Sequence, residues 1–489
     1  MPGLSGFSVY LPPYRVQLER WCDWYGQPWD KINAVVGRSF RVRGPAENVY
    51  TMAASALIRL ILNYKINPQK IGFLALGTES STDNSAGSVV VKGLVNQALH
   101  NLGLPEIARN CEVPEFKHAC LGGIYGIKNG LRYLACINDP DAIAVVVSAD
   151  IAEYARGSTG EPTQGAGAVA VLLEQKARLA TLDLARSGSS SDYRAVDFRK
   201  PLGRIVGEQQ RIHGQIRDFP VFNGKYSTTC YIEATMRATM DMLTRKETHY
   251  NALDEDLRSV FMHRPYQKMP EAGLAHAWLL SLALARKEGR AKFEQLAGTA
   301  NIDPAILREE LTSSPRLLDL VEHRTLSEEV FPLTRAVIKV IKSGPEYQQG
   351  VLDHLELGSD LMMDIGNLYT AALPAWMAAG FTEAFSGEED FSGQHFLLFG
   401  YGSGDAAEVI PMTVCESWRE AAAPIGFVEA EQDAIDLDQS HYEQLHDFGF
   451  CEDLEEPARL LFALDRIGSE KSGEYQDFGI EYYRCSIGS

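Results

Sequence analysis

A cysteine that follows a polar stretch and precedes two glycines has the setting of a nucleophile, and Cys120 has it in His118-Ala119-Cys120-Leu121-Gly122-Gly123. Leu121, Ile124, Ile127, Leu131 and Leu134 recur at helical spacing. This predicts an amphipathic helix from Cys120 to Asn138, stopped by Asp139-Pro140. Unpaired N–H groups and the macrodipole at a helix N-terminus favour thiolate, so the thiol is expected below its free pKa of roughly 8.5. The glycine pair lets another backbone or a ligand come close. Most free cysteines are buried small hydrophobes. Glu115, Lys117 and His118, immediately upstream, argue for chemistry here instead.

Glu79, His263 and Ser403 each follow a run that reads as a buried strand: Lys70–Gly77, Leu257–Met262 and His395–Phe399. Ligand sites in α/β sheets form at the carboxyl ends of strands, where all three sit. A helix pattern over Asn48–Asn63 precedes the first run, and Asp141–Ala149 repeats the strand pattern after the cysteine helix, so an α/β fold is expected. Gly165–Leu173 and Ala177–Leu184 read as two more strands, turned at Glu174-Gln175-Lys176. Gly165-Ala166-Gly167 leads into a strand instead of closing a strand-to-helix turn, which excludes a dinucleotide fingerprint. Lys287–Gly358 is patterned as a helical insertion without evident chemistry, and Ala407–Cys415, Leu460–Leu464 and Phe478–Arg484 read as closing strands.

At 489 residues and 45% hydrophobic content the chain can bury an extensive core of two or three units or one duplicated fold. The net charge of −19, with no basic stretch, argues against a nucleic-acid partner. Eight cysteines (22, 111, 120, 136, 230, 415, 451 and 485) lack ligand or disulfide spacing, so no metal site is expected and the thiols fit a reducing cytoplasm. The N-terminus lacks the pattern of a signal peptide, and no apolar run reaches the roughly 18 residues of a membrane span.

Several motifs, in order, resemble the 3-hydroxy-3-methylglutaryl-CoA (HMG-CoA) synthase family of the thiolase superfamily. They are Gly77-Thr78-Glu79-Ser80-Ser81-Thr82-Asp83, Ala119–Gly123, Asp150–Ala155, Pro162–Ala170, Asp197–Pro201 and Asn223–Ser227. Further along come Met262-His263-Arg264-Pro265-Tyr266-Gln267-Lys268, Gly366-Asn367-Leu368-Tyr369-Thr370 and Gly400-Tyr401-Gly402-Ser403-Gly404. The resemblance implies a thiolase-like fold with two similar halves, 1–185 and 186–489, in α-β-α-β-α layers with the insertion at about 287–358 in the second. It also implies a homodimer that uses acetyl-CoA and acetoacetyl-CoA as substrates, without a cofactor, in mevalonate-type isoprenoid synthesis.

By this resemblance Cys120 is the acetyl carrier, Glu79 the general base and His263 the group that polarises the acceptor ketone and protonates the alkoxide. An acetyl-enzyme remains a thioester, so its methyl protons stay acidic, and a positioned carboxylate is the type of base their removal requires. Asn367 assists His263, the amides of Cys120 and Ser403 are expected to hold the enolate oxygen, and Asp150 and Asp197 orient the site. Asp83, Thr163 and Tyr369 are expected to position substrate, and Lys268 and Arg264 to meet the CoA phosphates. Leu121, His118 and Arg264 depart from the residues that the family commonly has there. Such departures suit a member whose acceptor is carried by an acyl carrier protein, as in polyketide β-branching. A catalytically silent scaffold, or a Claisen-type thiolase relative, is the remaining alternative, against which Glu79 in its Gly-Thr-Glu context stands.

Overall fold

A computed structural model describes residues 1–81, 84–200, 211–212, 215–216, 219–245, 253, 257–403, 405–454, 457 and 460–487. Its centre is a mixed sheet of ten strands. In one half the neighbours run Glu115–Phe116, Ile71–Gly77, Ile143–Ala152, Gly165–Glu174 and Gly3–Tyr10. In the other they run Ala180–Leu182, Ala406–Val414, His395–Gly402 and Leu257–Met262, with Gly188–Ser191 also on Ala406–Val414. The strand Ala180–Leu182 pairs with both Gly3–Tyr10 and Ala406–Val414, so it carries the sheet across the division expected at residue 185.

Helices Val49–Asn63 and Gly87–Asn101 cover the outer face of the first half, and Gly122–Cys136 and Ala372–Ser386 lie between the halves. Gly224–Thr244, with Lys268–Leu284 beside it, covers the outer face of the second. This is the expected α-β-α-β-α layering. The middle layer must be apolar on both sides, and it is: Leu121, Ile124, Ile127 and Leu131 share one buried cluster with Phe7, Phe261, Trp376 and Phe396. The insertion is helical as expected, and Glu288–Thr299, Pro304–Thr312 and Pro332–Ile341 pack against Lys268–Leu284. Among the described residues no helix is long and apolar enough to cross a membrane.

Strand boundaries shift by a few residues from the sequence expectation, and several strands were not expected, Gly3–Tyr10, Glu115–Phe116 and Gly188–Ser191 of the central sheet among them. Gly3–Tyr10 carries two glycines and two serines, and Gly6 accommodates the Tyr64 ring, which an added Cβ would approach to 2.2 Å. Glycine and serine weaken the strand signal while making room for a covering helix.

An ion pair crosses the middle layer: Nζ of Lys128, on Gly122–Cys136, lies 2.7 Å from Oε2 of Glu408, on Ala406–Val414, with both side chains buried. Ser189 Oγ donates to the same carboxylate at 2.9 Å. Removing one partner of a buried pair strands the other charge. Lys128→Met is expected to lower stability by about 3–5 kcal/mol in urea unfolding, and Lys128→Met with Glu408→Leu to recover most of it. A loss below about 1 kcal/mol in the single variant contradicts this role.

Candidate active site

Two parallel strand pairs, Ile71–Gly77 beside Ile143–Ala152 and Leu257–Met262 beside His395–Gly402, bring residues from distant parts of the chain around one cavity of about 150 Å³. Cys120, Thr163, His263, Asn367, Tyr369 and Ser403 all line it. Cys120 sits in a tight turn, not in the helix: Ala119 has φ +44°, Leu121 N–H donates to His118 C=O at 3.0 Å, and the helix begins at Gly122. Glycines let this turn nest between the two halves. A Cβ on Gly402 would lie 2.7 Å from His118 O and 2.9 Å from Leu121 N, and one on Gly123 would lie 2.1 Å from Ser148 Oγ.

The expected thiolate does not form in the resting site. Cys120 is 8% exposed, and burial, reinforced by the charges of Glu79 and Asp150, pushes its thiol well above the ordinary range. Standing before the helix instead of in its first turn, the thiol is dominated by desolvation and two carboxylates. Its Sγ donates to Glu79 Oε2 at 3.4 Å. Thiol and carboxylate therefore form a pair between which a proton can pass.

Asp150 fixes that pair from behind. Its Oδ1 accepts from Thr78 Oγ1, Glu79 N, Ser80 N and Ser80 Oγ at 2.7–2.9 Å, and its Oδ2 accepts from Thr370 N at 2.9 Å. Thr370 Oγ1 in turn donates to Ala119 C=O at 3.1 Å, one residue before the nucleophile. Burial raises the Asp150 pKa, and these donors oppose the rise. These contacts tie Asp150 to the Glu79 segment on one side and to Thr370 on the other.

His263 follows its strand, with its N–H donating to Phe399 C=O at 2.8 Å and its C=O accepting from Tyr231 Oη at 3.0 Å. At 2% exposure its imidazole is neutral at physiological pH, because burial drives the pKa down to about 3. In the resting site it therefore offers a hydrogen bond and not an imidazolium proton. Asn367 Oδ1 accepts from Tyr369 N at 2.9 Å, which leaves the amide NH₂ as the group it presents. Asn367 N–H donates to Thr163 and Gln164 C=O, both at 3.2 Å, and Thr163 Oγ1 donates to Gly160 C=O at 2.7 Å.

Asp197, Lys268 and Arg264 do not line the cavity. Asp197 is buried behind the wall, where Oδ2 accepts from Tyr401 Oη at 2.5 Å; burial and the nearby Asp405 charge raise its pKa to about 6. Ser403 C=O accepts from Arg199 Nη1 at 2.5 Å, and Arg199 also pairs with Asp405. Lys268 lies between Tyr266 and Met269, which line the cavity, and its Nζ is 2.9 Å from Glu271 Oε2. Arg264, expected at the CoA phosphates, is turned inward. It is 4% exposed, donates to Ser359 O at 3.1 Å and Ser359 Oγ at 2.9 Å, and lies over the Trp376 ring. Leu121 is also buried, against Gly400 and Ile124 in the core, and does not line the cavity. Asp83 lies outside the described residues.

Sequence reasoning missed Tyr154, Phe198 and Tyr401 in the cavity wall and Thr370 behind it. Each neighbours a predicted residue within the same motif; ring contacts of Tyr154 with Phe198 at 6.2 Å and Tyr369 at 6.3 Å reveal the role. Among the described residues no three His, Cys, Asp or Glu side chains are grouped to hold a metal ion.

The family model for the hydroxymethylglutaryl-coenzyme A synthase N-terminal region matches residues 3–178, a span that contains Glu79, Cys120 and Asp150. The hydroxymethylglutaryl-CoA synthase of Haloferax volcanii is 25% identical over 82% of this chain and 80% of its own length. A solved structure of MvaS in complex with 3-hydroxy-3-methylglutaryl coenzyme A is 26% identical, covers 99% of both chains and superposes with a TM-score of 0.72. The chain is similar to HMG-CoA synthases over most of its length. The Saccharomyces cerevisiae HMG-CoA synthase is also 25% identical, over 83% of this chain and 74% of its own length. The HMG synthase of the curacin pathway, solved with a holo donor acyl carrier protein, shares the fold at 18% identity and a TM-score of 0.68, with 99% of both chains covered.

Two expectations follow from the geometry of this site. Asp150→Asn removes an acceptor from the clamp and is expected to slow acylation of Cys120 about 10²-fold, read by rapid-quench mass spectrometry, because a small misplacement is costly to attack. An unchanged acylation rate contradicts the clamp. His263 is expected to stay neutral from pH 8 down to pH 5 in nitrogen-15 histidine NMR of the free enzyme. Since folding depresses its pKa, its contribution to stability is present above the unfolded value of about 6.5 and is lost as pH falls toward the folded one. A His263 signal titrating near pH 6.5 contradicts this.

Proposed function

We propose that the chain condenses acetyl-CoA with acetoacetyl-CoA through an acetyl-Cys120 enzyme, giving 3-hydroxy-3-methylglutaryl-CoA and free coenzyme A. The observation that carries this reading is the Cys120 Sγ to Glu79 Oε2 contact of 3.4 Å beside a cavity that also holds His263 and Asn367. Coenzyme A thioesters are its only small-molecule requirement. We place it as a cytoplasmic homodimer, a reading supported by the family resemblance.

The reaction starts with attack of Sγ on the thioester carbonyl of acetyl-CoA. The thiol proton passes to Glu79, the new S–C bond forms, and the departing CoA sulfur takes that proton back, leaving Glu79 ionised. Glu79 then removes a methyl proton from the acetyl thioester, and the amides of Cys120 and Ser403 hold the enolate oxygen. The enolate carbon bonds to the ketone carbon of acetoacetyl-CoA while the neutral imidazole of His263 and the Asn367 NH₂ hydrogen-bond the ketone oxygen. The alkoxide takes the proton that Glu79 has just gained. Water finally cleaves the enzyme thioester, its hydroxyl going to the acyl carbon and its proton to Sγ.

The free CoA ester is favoured over a carrier-bound acceptor because Leu121 and Arg264, the departures that pointed to the latter, are packed inside the fold. Incubation with acetyl-CoA is expected to add one acetyl group at Cys120, absent in Cys120→Ala, by intact and peptide mass spectrometry. Glu79→Ala is expected to acetylate, though more slowly, and to lose condensation by about 10²–10⁴-fold. An adduct that persists in Cys120→Ala, or a Glu79→Ala enzyme that condenses normally, overturns the reading. Strong preference for an acetoacetyl carrier protein over acetoacetyl-CoA replaces the acceptor alone.

A further inference from the structure

Tyr154 is held in the cavity wall by a helix that contributes no residue to that wall. The helix, Gln439–Phe448, is capped by the Asp438 side chain and ends at Gly449, where φ is +69°. On its buried face His446 Nε2 lies 2.8 Å from Tyr154 C=O. A carbonyl only accepts, so Nε2 carries the hydrogen. His446 Nδ1 is 3.0 Å from Asp447 Oδ1, and the ring is wedged between Phe219 at 5.6 Å and Tyr442 at 5.7 Å.

The rest of the segment is tied to the same helix. Tyr154 N–H donates to Gln164 Oε1 at 2.9 Å, Gln164 Nε2 donates to Tyr442 Oη at 2.9 Å, and Tyr442 Oη donates to the buried Glu161 at 2.7 Å. Arg156 pairs with Asp447 at 2.6 Å and with Glu443 at 2.9 Å. Both polar groups of the Tyr154 backbone are therefore bonded, and the carbonyl bond is the one the helix makes directly. In front, the Tyr154 ring meets Phe198 and Tyr369 edge-on and shares a buried cluster with Cys120. Its position thus sets the room beside Sγ, where an acyl group is bound.

We propose that His446 is a positioning residue that confines the acyl donor to acetyl by fixing Tyr154 against Cys120. The inference rests on the acetyl-Cys120 reading above. Propionyl differs from acetyl by one methylene, and a rigid pocket discriminates at that level by about 10–200-fold.

The test is competition: the whole enzyme is mixed with equal acetyl-CoA and propionyl-CoA, and the two adducts on Cys120 are quantified by mass spectrometry. His446→Phe keeps the ring between Phe219 and Tyr442 and deletes the N–H donor; it is expected to raise the propionyl-to-acetyl ratio about tenfold. His446→Gln, whose amide can donate to Tyr154 C=O, is expected to restore the wild-type ratio. If circular dichroism finds His446→Phe unfolded, Asp447→Asn, which weakens the Nδ1 contact, is measured in its place with the same expected direction. A ratio unchanged in the variants, or acetyl and propionyl labelling lost in step, overturns the inference while leaving the acetyl-enzyme intact. Absence of the acetyl adduct on the wild-type enzyme overturns the acetyl-Cys120 reading and this inference with it.

Discussion

The Asp150 carboxylate is the point on which the site turns. Burying a carboxylate is costly unless donors replace its water, and Asp150 has donors from two separate segments: Thr78, Glu79 and Ser80 on one side, Thr370 on the other. Through Glu79 N–H it sets the base, and through Thr370 and Ala119 C=O it sets the turn that presents Sγ. The glycines at 123 and 402 follow from the same demand, since the nucleophile turn must pass within contact of Ser148 on one side and the second half of the fold on the other.

This arrangement favours control of the proton over a standing nucleophile. Burial and two carboxylates keep the Cys120 thiol protonated, and in the proposed reaction the carboxylate that holds the thiol is needed again, ionised, to make the enolate. A neutral His263 suits the later step of the proposed reaction, since an uncharged ring can hydrogen-bond a ketone oxygen.

Residues that follow buried parallel strands were legible in the sequence. Ile71–Gly77 and Leu257–Met262 are covered on both faces, so they read as unbroken apolar runs, and the polar residues after them, Glu79 and His263, stand out. The motifs likewise identified Asn367, Ser403 and Thr163, and the layering was legible in the alternation of helix and strand. What was not legible depends on direction and on contacts remote in the chain. Periodicity could not say that the helix starts two residues after Cys120, that Leu121 faces the core, or that Arg264 turns inward onto Trp376. Nor could it place Asp197 behind Tyr401, or join residue 446 to residue 154. Gly3–Tyr10 escaped because close packing of a covering helix calls for glycine and serine, the residues that erase a strand's signature.

The account stands or falls on whether carbon–carbon bond formation proceeds from the acetyl group on Cys120. The direct measurement is a single turnover: enzyme loaded with carbon-14 acetyl at Cys120 is freed of acetyl-CoA, mixed with acetoacetyl-CoA and quenched over time. The account predicts that label leaves the protein at the rate at which labelled 3-hydroxy-3-methylglutaryl-CoA appears. Release of the label as acetate, with no labelled product, would contradict it.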